Sequence, residues 1–431
     1  MRCDAVVIGA GIMGASIAYE LAKAGRRVVV VDKSGGVGHG STSASSAVVR
    51  FNFSTWAGVA TAWESKFHWQ RWAEHVGPVA GGLARYVQCG IAFLDVDIAP
   101  RSRYLPLFDS AGVAYQEWDA DRLATELHGI DTGRYWPPKR LDDHHFWDDA
   151  TGRLGAVYTP DGGYVSDPQL AAANLAAAAT RHGAVFLLNR VVSEVVRRHG
   201  RAGGVVLADG SRIDAEVVVN AAGPWSGKLN ALAGVGADFA VTLRPLRQEV
   251  HHVPGRAGGG AGRPRIAIAD MDLGVYVRGE VGGGLLVGGT EPECEPLCWV
   301  DDPDDCDPGV TADLFDAQVT RAARRWPDLT VPRRPRGVVG VYDVASDWTP
   351  IYDRTSLPGF YVAAGTSGNQ FKNAPLVGQF LSNIIEYCED GGDHDSEPLQ
   401  FAAKYTGNII DLGTYSRLRK SGQQTSGTVM G

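Results

Sequence analysis

The sequence predicts an α/β protein, α+β overall, that combines a parallel sheet near the amino terminus with an antiparallel sheet. Three observations predict this fold. Two short apolar runs, residues 4–8 and 28–31, flank a stretch of helical pattern over 12–24, which is typical of a βαβ unit. A buried run at 217–220 returns the chain to that first sheet. Alternating strands broken by glycines over 244–290 indicate the antiparallel sheet.

The turn between the first strand and the first helix has the spacing G-x-G-x-x-G, with Gly9, Gly11 and Gly14. Gly9 permits the tight turn, Gly11 lets the backbone approach a pyrophosphate, and Gly14 lets the helix lie close to the strand. The free N–H groups and the positive dipole end of the helix favour an anion. Asp32 ends the second strand where an acid that binds an adenosine ribose is expected. Together these residues predict a bound dinucleotide.

The first half of the chain continues with loops, helices and strands. A glycine- and serine-rich loop over 35–46 follows the second strand, where a simple Rossmann domain would add further βα units. An amphipathic pattern predicts a helix over 57–76 whose aromatic residues face the core. The patterns also predict a strand at 88–96, a helix-containing segment at 103–127 and an irregular segment at 131–156.

The second half begins with an alanine-rich helix over 168–182, which Asp167 and Pro168 start as cap and first-turn residues. The remaining predicted elements are strands at 184–196, 203–208 and 216–220, a helix over 311–326, strands at 337–341 and 359–364, and a helix over 373–386. The polar tail after residue 413 is expected to be loosely ordered.

Length and composition limit the possible functions. At 431 residues the chain suits two interleaved domains. A net charge of −8, without a basic patch interleaved with aromatic residues, argues against a nucleic-acid partner. The chain begins almost directly with the first strand and has no run of about 18 apolar residues, so neither a signal peptide nor a membrane span is expected. Six cysteines without a disulfide pattern favour a cytoplasmic location.

Two clusters of potential metal ligands are interpreted without a metal. Cys294, Cys298 and Cys306 lie in an acidic loop, but their spacing matches no familiar zinc site, so free thiols are favoured. His144 and His145 stand among consecutive aspartates, which is more typical of a solvated loop than of converging ligands.

Four segments along essentially the whole chain resemble the D-amino-acid oxidase (DAO) family, and within it the sarcosine oxidase and dimethylglycine dehydrogenase branch. They are the βαβ unit, GHGSTSASSAVVR, EVVVNAAGPWS and GFYVAAGTSGNQFKNAPLVGQFL. The resemblance implies bound FAD, a Rossmann-like FAD-binding domain of the glutathione-reductase type, and an interleaved substrate domain whose antiparallel sheet covers the isoalloxazine ring. It places the FAD-binding domain at 1–85, 150–228 and 335–412, the substrate domain at 86–149 and 229–334, and a flexible tail at 413–431.

The resemblance also assigns residues to FAD. The expected FAD-binding residues are Gly9, Gly11, Ile12, Met13, Gly14, Asp32, Lys33, Gly40, Ser41, Thr42, Ser43, Ser46, Ala47, Val191, Ala222, Gly223, Trp225, Gly340, Gly365, Ser367, Gly368, Asn369, Gln370, Phe371 and Lys372. A lysine in the first turn of a helix, as at Lys372, would also stabilise the negative charge of a reduced flavin.

Arg50 falls where sarcosine oxidases keep an arginine that binds the substrate carboxylate, and Lys372 falls where they keep its lysine partner. An arginine binds a carboxylate with two parallel hydrogen bonds and the lysine adds a point charge, which suits an amino-acid-like substrate. Gln248, Tyr276 and Tyr342 are further candidates for the substrate pocket, because they lie on strands expected to face the flavin.

The sequence departs from the family at several positions. Gly340 stands where monomeric sarcosine oxidases carry the cysteine bonded to FAD, and Ala44 stands where dimethylglycine dehydrogenases carry a flavin-linked histidine. His39 lies five positions before Ala44 and is interpreted as an ordinary loop residue, so FAD is expected to be non-covalent. Leu286 replaces a lysine that helps sarcosine oxidases activate oxygen, so the acceptor is either O2 or a quinone or protein. Asn369 replaces a family histidine beside the final glycines, which changes the polarity expected of the substrate pocket.

The function expected from this resemblance is oxidation of the C–N bond of an amine or amino acid to an imine, with an N-methyl or secondary amino acid as the favoured substrate. One alternative is a flavin monooxygenase that uses NAD(P)H. The sequence has no second G-x-G-x-x-G unit and no CxxC pair, which argues against a dedicated domain for NAD(P)H. The other alternative is a non-catalytic FAD-binding assembly factor or subunit of the same fold.

Overall fold

The computed structural model describes residues 1–254 and 266–420. The elements of the first half are β1 (Ala5–Ile8), α1 (Ile12–Lys23), β2 (Val28–Val31), β3 (Val48–Val49), α2 (Trp56–Gln70), α3 (Trp72–Val76), β4 (Tyr86–Gln88), β5 (Ile91–Leu94), α4 (Arg101–Ala111), β6 (Gln116–Trp118), α5 (Ala120–Glu126), β7 (Ala156–Thr159), β8 (Gly163–Val165), α6 (Pro168–Arg181), β9 (Val185–Leu187), β10 (Val192–Arg198), β11 (Arg201–Leu207), β12 (Arg212–Asp214) and β13 (Val217–Asn220). Those of the second half are α7 (Ser226–Ala233), β14 (Leu243–Val253), β15 (Ala267–Asp270), β16 (Val275–Gly279), β17 (Leu285–Gly289), α8 (Ala312–Arg325), β18 (Gly337–Ala345), β19 (Ile351–Arg354), β20 (Phe360–Ala364), α9 (Ala374–Glu389), β21 (Gln400–Ala402) and β22 (Ile409–Asp411).

A six-stranded sheet in the order β19-β20-β13-β1-β2-β9 forms the centre of the Rossmann-like part. Its neighbouring strands are parallel except at the edge, where β19 pairs with β20 antiparallel. Alternate residues of β1 contact α1, α6 and α9 on one face, and the remaining ones contact α7 and the β10-β11-β12 sheet on the other. Because both faces are covered, the central strands are apolar except for Asn220 at the end of β13.

An eight-stranded sheet in the order β18-β14-β17-β16-β15-β5-β7-β6 forms the second layer. All of its pairs are antiparallel except β15 with β5. The α/β fold and the antiparallel sheet predicted from the sequence are therefore confirmed. No helix in the described part of the chain is long and apolar enough to cross a membrane.

Several element boundaries differ from the prediction for local reasons. The predicted helix over 57–76 is two helices, because Arg71 (φ −110°, ψ 37°) leaves the helical region between α2 and α3. The predicted strand over 184–196 is divided into β9 and β10, which belong to different sheets. Asn189, with φ of 56°, turns the chain between them. Helix α7 and the edge strand β19 carry mixed polar and apolar residues and were not predicted.

Two predicted segments are organised differently by tertiary contacts. Strands β7 and β18 pair in the antiparallel sheet, although their residues fall in ranges predicted for the FAD-binding domain. The prediction of a loose tail from residue 413 is wrong for residues 413–420, because Tyr415 and Arg417 are buried. The Arg417 guanidinium donates hydrogen bonds to three carboxylates, those of Asp238, Asp353 and Asp395. Residues 421–431 of the predicted tail lie outside the described residues.

Candidate active site

The glycine-rich turn after β1 is held in a conformation that only glycine allows. Gly9 has φ of 109°, and a Cβ there would lie 2.3 Å from the carbonyl oxygen of Ala221 at the end of β13. A Cβ at Gly14 would lie 1.8 Å from the carbonyl oxygen of Gly9. The turn, the strand β13 and the start of α1 are therefore in backbone contact, and the open side of the turn is left for a ligand.

The start of α1 presents donors and an acid to that ligand. The Asp32 carboxylate accepts hydrogen bonds from the backbone N–H groups of Ala10 (2.6 Å) and Ser34 (2.7 Å), which fix its orientation at the end of β2. The N–H of Ile12 donates to the hydroxyl of Thr42 (3.0 Å), which brings the glycine- and serine-rich loop over the first turn of the helix. Backbone N–H groups and one oriented carboxylate are the partners that a nucleoside diphosphate needs.

A long cavity begins at this turn and ends between the two sheets. The predicted FAD-binding residues that line it are Gly9, Gly11, Ile12, Met13, Asp32, Lys33, Gly40, Ser41, Thr42, Ser46, Val191, Ala222, Gly223, Trp225, Gly340, Gly368, Gln370 and Phe371. The predicted pocket residue Gln248 lines the same cavity, which we call the cofactor cleft.

Seven predicted FAD-binding residues do not line the cofactor cleft, and three of them, Ala47, Asn369 and Lys372, line a smaller cavity beside it. The other four line neither cavity. Gly14 serves the contact with Gly9 described above, and Ser43 is an exposed turn residue. Gly365 (φ 67°) packs against Ala345, and the hydroxyl of Ser367 accepts a hydrogen bond from the N–H of that residue. Gly365 and Ser367 therefore hold the loop after β20 against β18. Gly368, Gln370 and Phe371 of the same loop line the cleft.

The two positions from which a non-covalent FAD is predicted, Gly340 and Ala44, lie close together in the cofactor cleft. Gly340 and Ala44 both line it, and a Cβ at Gly340 would lie 2.9 Å from the Cβ of Ala44. Neither residue has a nucleophilic side chain. His39 is exposed and is not among the residues that line the cleft.

A salt bridge that the sequence did not reveal covers the glycine-rich end of the cleft. Lys33 contacts the carboxylate of Asp304, and its ammonium lies 3.8 Å from the centre of the Trp225 ring. The indole N–H of Trp225 also donates to Asp304 (3.0 Å). Asp304 belongs to the acidic loop between β17 and α8, far from Lys33 in sequence, so only the folded chain brings them together.

A second, smaller cavity of about 80 Å³ adjoins the inner end of the cofactor cleft and shares Ser46, Tyr342, Gly368 and Phe371 with it. We call it the inner cavity. The predicted residues that line it are Ser46, Ala47, Arg50, Tyr276, Tyr342, Gly368, Asn369, Phe371 and Lys372. A single water needs roughly 10–15 Å³, so the inner cavity has room for a small molecule.

Arg50 and Lys372 lie close together in the inner cavity, although they are far apart in sequence. The Arg50 guanidinium donates to the carbonyl of Asn52, and the Lys372 ammonium donates to the carbonyl of Asn369 (2.5 Å). Both cations lie over one ring, that of Phe53, at 4.9 and 4.7 Å from its centre. Two buried cations close together can bind an anion, and the Glu291 carboxylate already acts electrostatically on Arg50.

Burial also changes the proton affinities of these two groups. Desolvation lowers the pKa of Arg50 to about 10, and the nearby Glu291 carboxylate opposes this shift. Burial, with a contribution from the positive charge of Arg50, holds the pKa of Lys372 well below its usual value. A bound anion would favour the charged form of both groups.

Two tyrosines line the inner cavity, and one of them, Tyr342, also lines the cofactor cleft. The Tyr276 hydroxyl donates to Ser46 Oγ (3.1 Å), and burial raises the pKa of Tyr276. Tyr342 packs against Gly368, where φ is 68° and a Cβ would lie 2.2 Å from the ring. Burial raises the pKa of Tyr342 well above its usual value, so both hydroxyls stay protonated at neutral pH.

Several residues of the inner cavity were not predicted as site residues. Arg278 on β16 and Met271 in the turn before it line the cavity. The Glu291 carboxylate interacts electrostatically with the Arg50 guanidinium. Leu286, predicted at the position of an oxygen-activating lysine, pairs with Arg278 in register but lines neither cavity. The alternating pattern of β16 places Tyr276 and Arg278 on one face, so this pattern could have identified Arg278.

The two cavities together fit FAD. The glycine cradle, the N–H groups at the start of α1 and the Asp32 carboxylate suit the ADP half, and the cleft then leads to the junction with the inner cavity. The described residues include no group of three or more His, Cys, Asp or Glu side chains placed to hold a metal ion.

Comparisons with known proteins agree with this geometry. The family model described as FAD dependent oxidoreductase (DAO) matches residues 4–384. Glycine oxidase of Geobacillus kaustophilus (strain HTA426) is 27% identical over 403 residues, covering 91% of this chain and 95% of that protein. 4-Methylaminobutanoate oxidase (formaldehyde-forming) of Paenarthrobacter nicotinovorans is 27% identical over 412 residues, covering 92% of this chain and 45% of that protein. The crystal structure of L-proline dehydrogenase from P. horikoshii superposes with a TM-score of 0.76 at 23% identity, covering 97% of each chain. The chain therefore belongs to the DAO family of FAD-dependent oxidoreductases.

Proposed function

We propose that this protein oxidises the C–N bond of a small amine that carries a carboxylate, with an N-methyl or secondary amino acid as the favoured substrate. The observation that carries the proposal is the buried pair Arg50 and Lys372 in an inner cavity beside the flavin end of the cofactor cleft. The names of two relatives support it, since one is a glycine oxidase and the other acts on 4-methylaminobutanoate.

The residues of the inner cavity have separate tasks in this reaction. Arg50 and Lys372 bind the carboxylate and so fix the position of the neighbouring carbon. Bound FAD would supply the two-electron oxidant that takes a hydride from that carbon. The substrate nitrogen gives up its proton as the imine forms, and water later hydrolyses the imine to a carbonyl compound and the free amine. The apolar wall of Phe93, Ile268 and Met271 keeps water away from the reacting carbon.

The same contacts support further features of the proposal. The loop of Gly368 to Phe371 reaches the cleft just before α9, where its backbone and the helix dipole stabilise negative charge on reduced flavin. Because Ala44 and Gly340 cannot form a bond to the flavin, we propose that FAD is non-covalent. The electron acceptor is O2 or a quinone or protein.

The test is anaerobic reduction of the bound flavin by N-methyl amino acids, α-amino acids, cyclic imino acids and simple amines, followed through the flavin absorbance. Carboxylated amines should reduce the wild-type flavin. Arg50→Met and Lys372→Met should each raise the concentration for half-maximal rate by about 30-fold or more, because truncating one partner of a buried charge pair costs roughly 2–5 kcal/mol.

Lys66→Met is the matched control, since Lys66 is a buried lysine on α2 that pairs with Asp161 (3.3 Å) outside both cavities. It should leave the response to substrate unchanged. Rapid reduction of the flavin by NAD(P)H alone would contradict the proposal and indicate a monooxygenase. Failure of every amine, together with co-purification of a partner protein, would indicate a non-catalytic subunit.

A further inference from the structure

A third cation enters the inner cavity from a different wall. Arg278 lies on β16 and is 4% exposed, and it lines the inner cavity. Its Nε donates to the carbonyl of Ser46 (2.7 Å) and its Nη1 to that of Gly279 (2.8 Å). Its guanidinium also lies 4.2 Å from the centre of the Tyr164 ring. These contacts leave Nη2 with no hydrogen-bond partner within residues 1–254 and 266–420, so one edge of the guanidinium is left for a ligand.

Arg278 does not belong to the Arg50 and Lys372 pair. Those two cations share the Phe53 ring and lie against the loop that precedes α9, whereas Arg278 is held by Ser46 and Tyr164 on the side of β16 and β8. The inner cavity therefore has positive groups on two walls.

The charges around the inner cavity do not balance. The three cations line it, and no carboxylate side chain in the described part of the chain does. Glu291 opposes the charge of Arg50 from outside the lining and offsets one cation. Asp270 and Asp272, behind the wall, accept hydrogen bonds from the buried Arg325. The Glu280 carboxylate acts in the same way on Arg278 from outside the lining, and desolvation lowers the pKa of Arg278 as it does that of Arg50. A carboxylate that faces these cations within the cavity is therefore left for the ligand to supply.

We propose that the substrate is a dicarboxylic amine, such as an N-carboxymethyl amino acid or an acidic amino acid, with one carboxylate on Arg50 and Lys372 and the second on Arg278. This inference rests on the proposed amine oxidation and names its substrate class. The small cavity limits the substrate to a short chain between the two carboxylates. A monocarboxylate leaves the Nη2 edge of the buried Arg278 guanidinium without a carboxylate partner, which is the kind of difference that gives strong discrimination.

The test uses ligands that cannot be oxidised, so that it does not depend on turnover. Malonate and succinate are compared with acetate and butyrate by the change they cause in the flavin absorbance of the FAD-loaded enzyme. We expect the dicarboxylates to bind at least 10-fold more tightly. Arg278→Met should lower this ratio about 10-fold or more, and Arg278→Lys, which keeps the charge without the planar guanidinium, should give an intermediate ratio.

Arg244→Met is the matched control, because Arg244 is an exposed arginine on β14 that lines neither cavity. It should keep the wild-type ratio. Equal affinity for mono- and dicarboxylates, or a ratio that Arg278→Met does not change, would overturn the proposal. In turnover, reduction of the flavin by N-methylglycine but not by iminodiacetate would overturn the dicarboxylate inference alone. Reduction by neither compound, nor by any other amine, would overturn the proposed function itself.

Discussion

Replacing Gly378 with alanine should separate the two helices that carry the opposite ends of the FAD site. Gly378 lies in α9 against α1, and a Cβ there would lie 2.5 Å from both the carbonyl oxygen and the Oγ of Ser16. The Ser16 hydroxyl donates to the carbonyl of Ala374 (2.6 Å), which fixes the approach of the helices. Because such a contact needs about 3.5 Å, the helices must move apart by about 1 Å.

The magnitude follows from two opposing effects. Inserting a methyl group against backbone that cannot rotate away costs about 2–3 kcal/mol, the upper part of the range for overpacking. Alanine in place of glycine in a helix returns about 1 kcal/mol. The net loss of stability is therefore about 1–2 kcal/mol. FAD affinity should fall as well, because α1 begins at the glycine-rich turn and α9 follows the loop at the flavin end.

The assay is urea unfolding of the FAD-loaded and FAD-free proteins, followed by circular dichroism and flavin fluorescence. Gly227→Ala is the control, since Gly227 is a helix glycine in α7 whose added Cβ would meet nothing within 4 Å. It should raise the midpoint or leave it unchanged. Unfolding of Gly378→Ala at the same urea concentration as Gly227→Ala would show that the contact between α1 and α9 tolerates a methyl group.

Two further predictions concern Lys372 in the inner cavity and Arg325 in the ion cluster behind its wall. Because burial and Arg50 hold the pKa of Lys372 low, and only its charged form attracts a carboxylate, anion affinity should fall as pH rises through that lowered pKa, well before an ordinary lysine would lose its proton. Lys372→Arg should stay charged and show a smaller fall, as measured by spectral titration with acetate from neutral to alkaline pH. Arg325→Met should destabilise the protein by about 3–5 kcal/mol, because it leaves the Asp270 and Asp272 carboxylates buried without their cation. Urea unfolding measures this loss, and an unchanged midpoint would show that the ion cluster is not stabilising.

The agreement between sequence and structure is closest where the chain itself constrains the backbone. The glycine-rich turn, the strands on either side of α1 and the Asp167 cap of α6 lie where their local patterns predict them. The helix predicted over 57–76 and the strand predicted over 184–196 are each divided into two elements. The apolar pattern of each continues through the break, because the position of the break depends on the sheet or helix that each half contacts.

The amino-acid sequence by itself determined the βαβ unit, because the glycine spacing, the valine-rich strands and Asp32 are local requirements of a dinucleotide site. Together with the family motifs, it also identified Arg50 and Lys372. Tertiary structure alone decided that these two cations share the Phe53 ring, that Asp304 contacts Lys33 and Trp225, and that Arg278 lines the same inner cavity. Such contacts join segments far apart in the sequence. The buried charged side chains therefore act on one another only in the folded protein, where the two sheets bring them together.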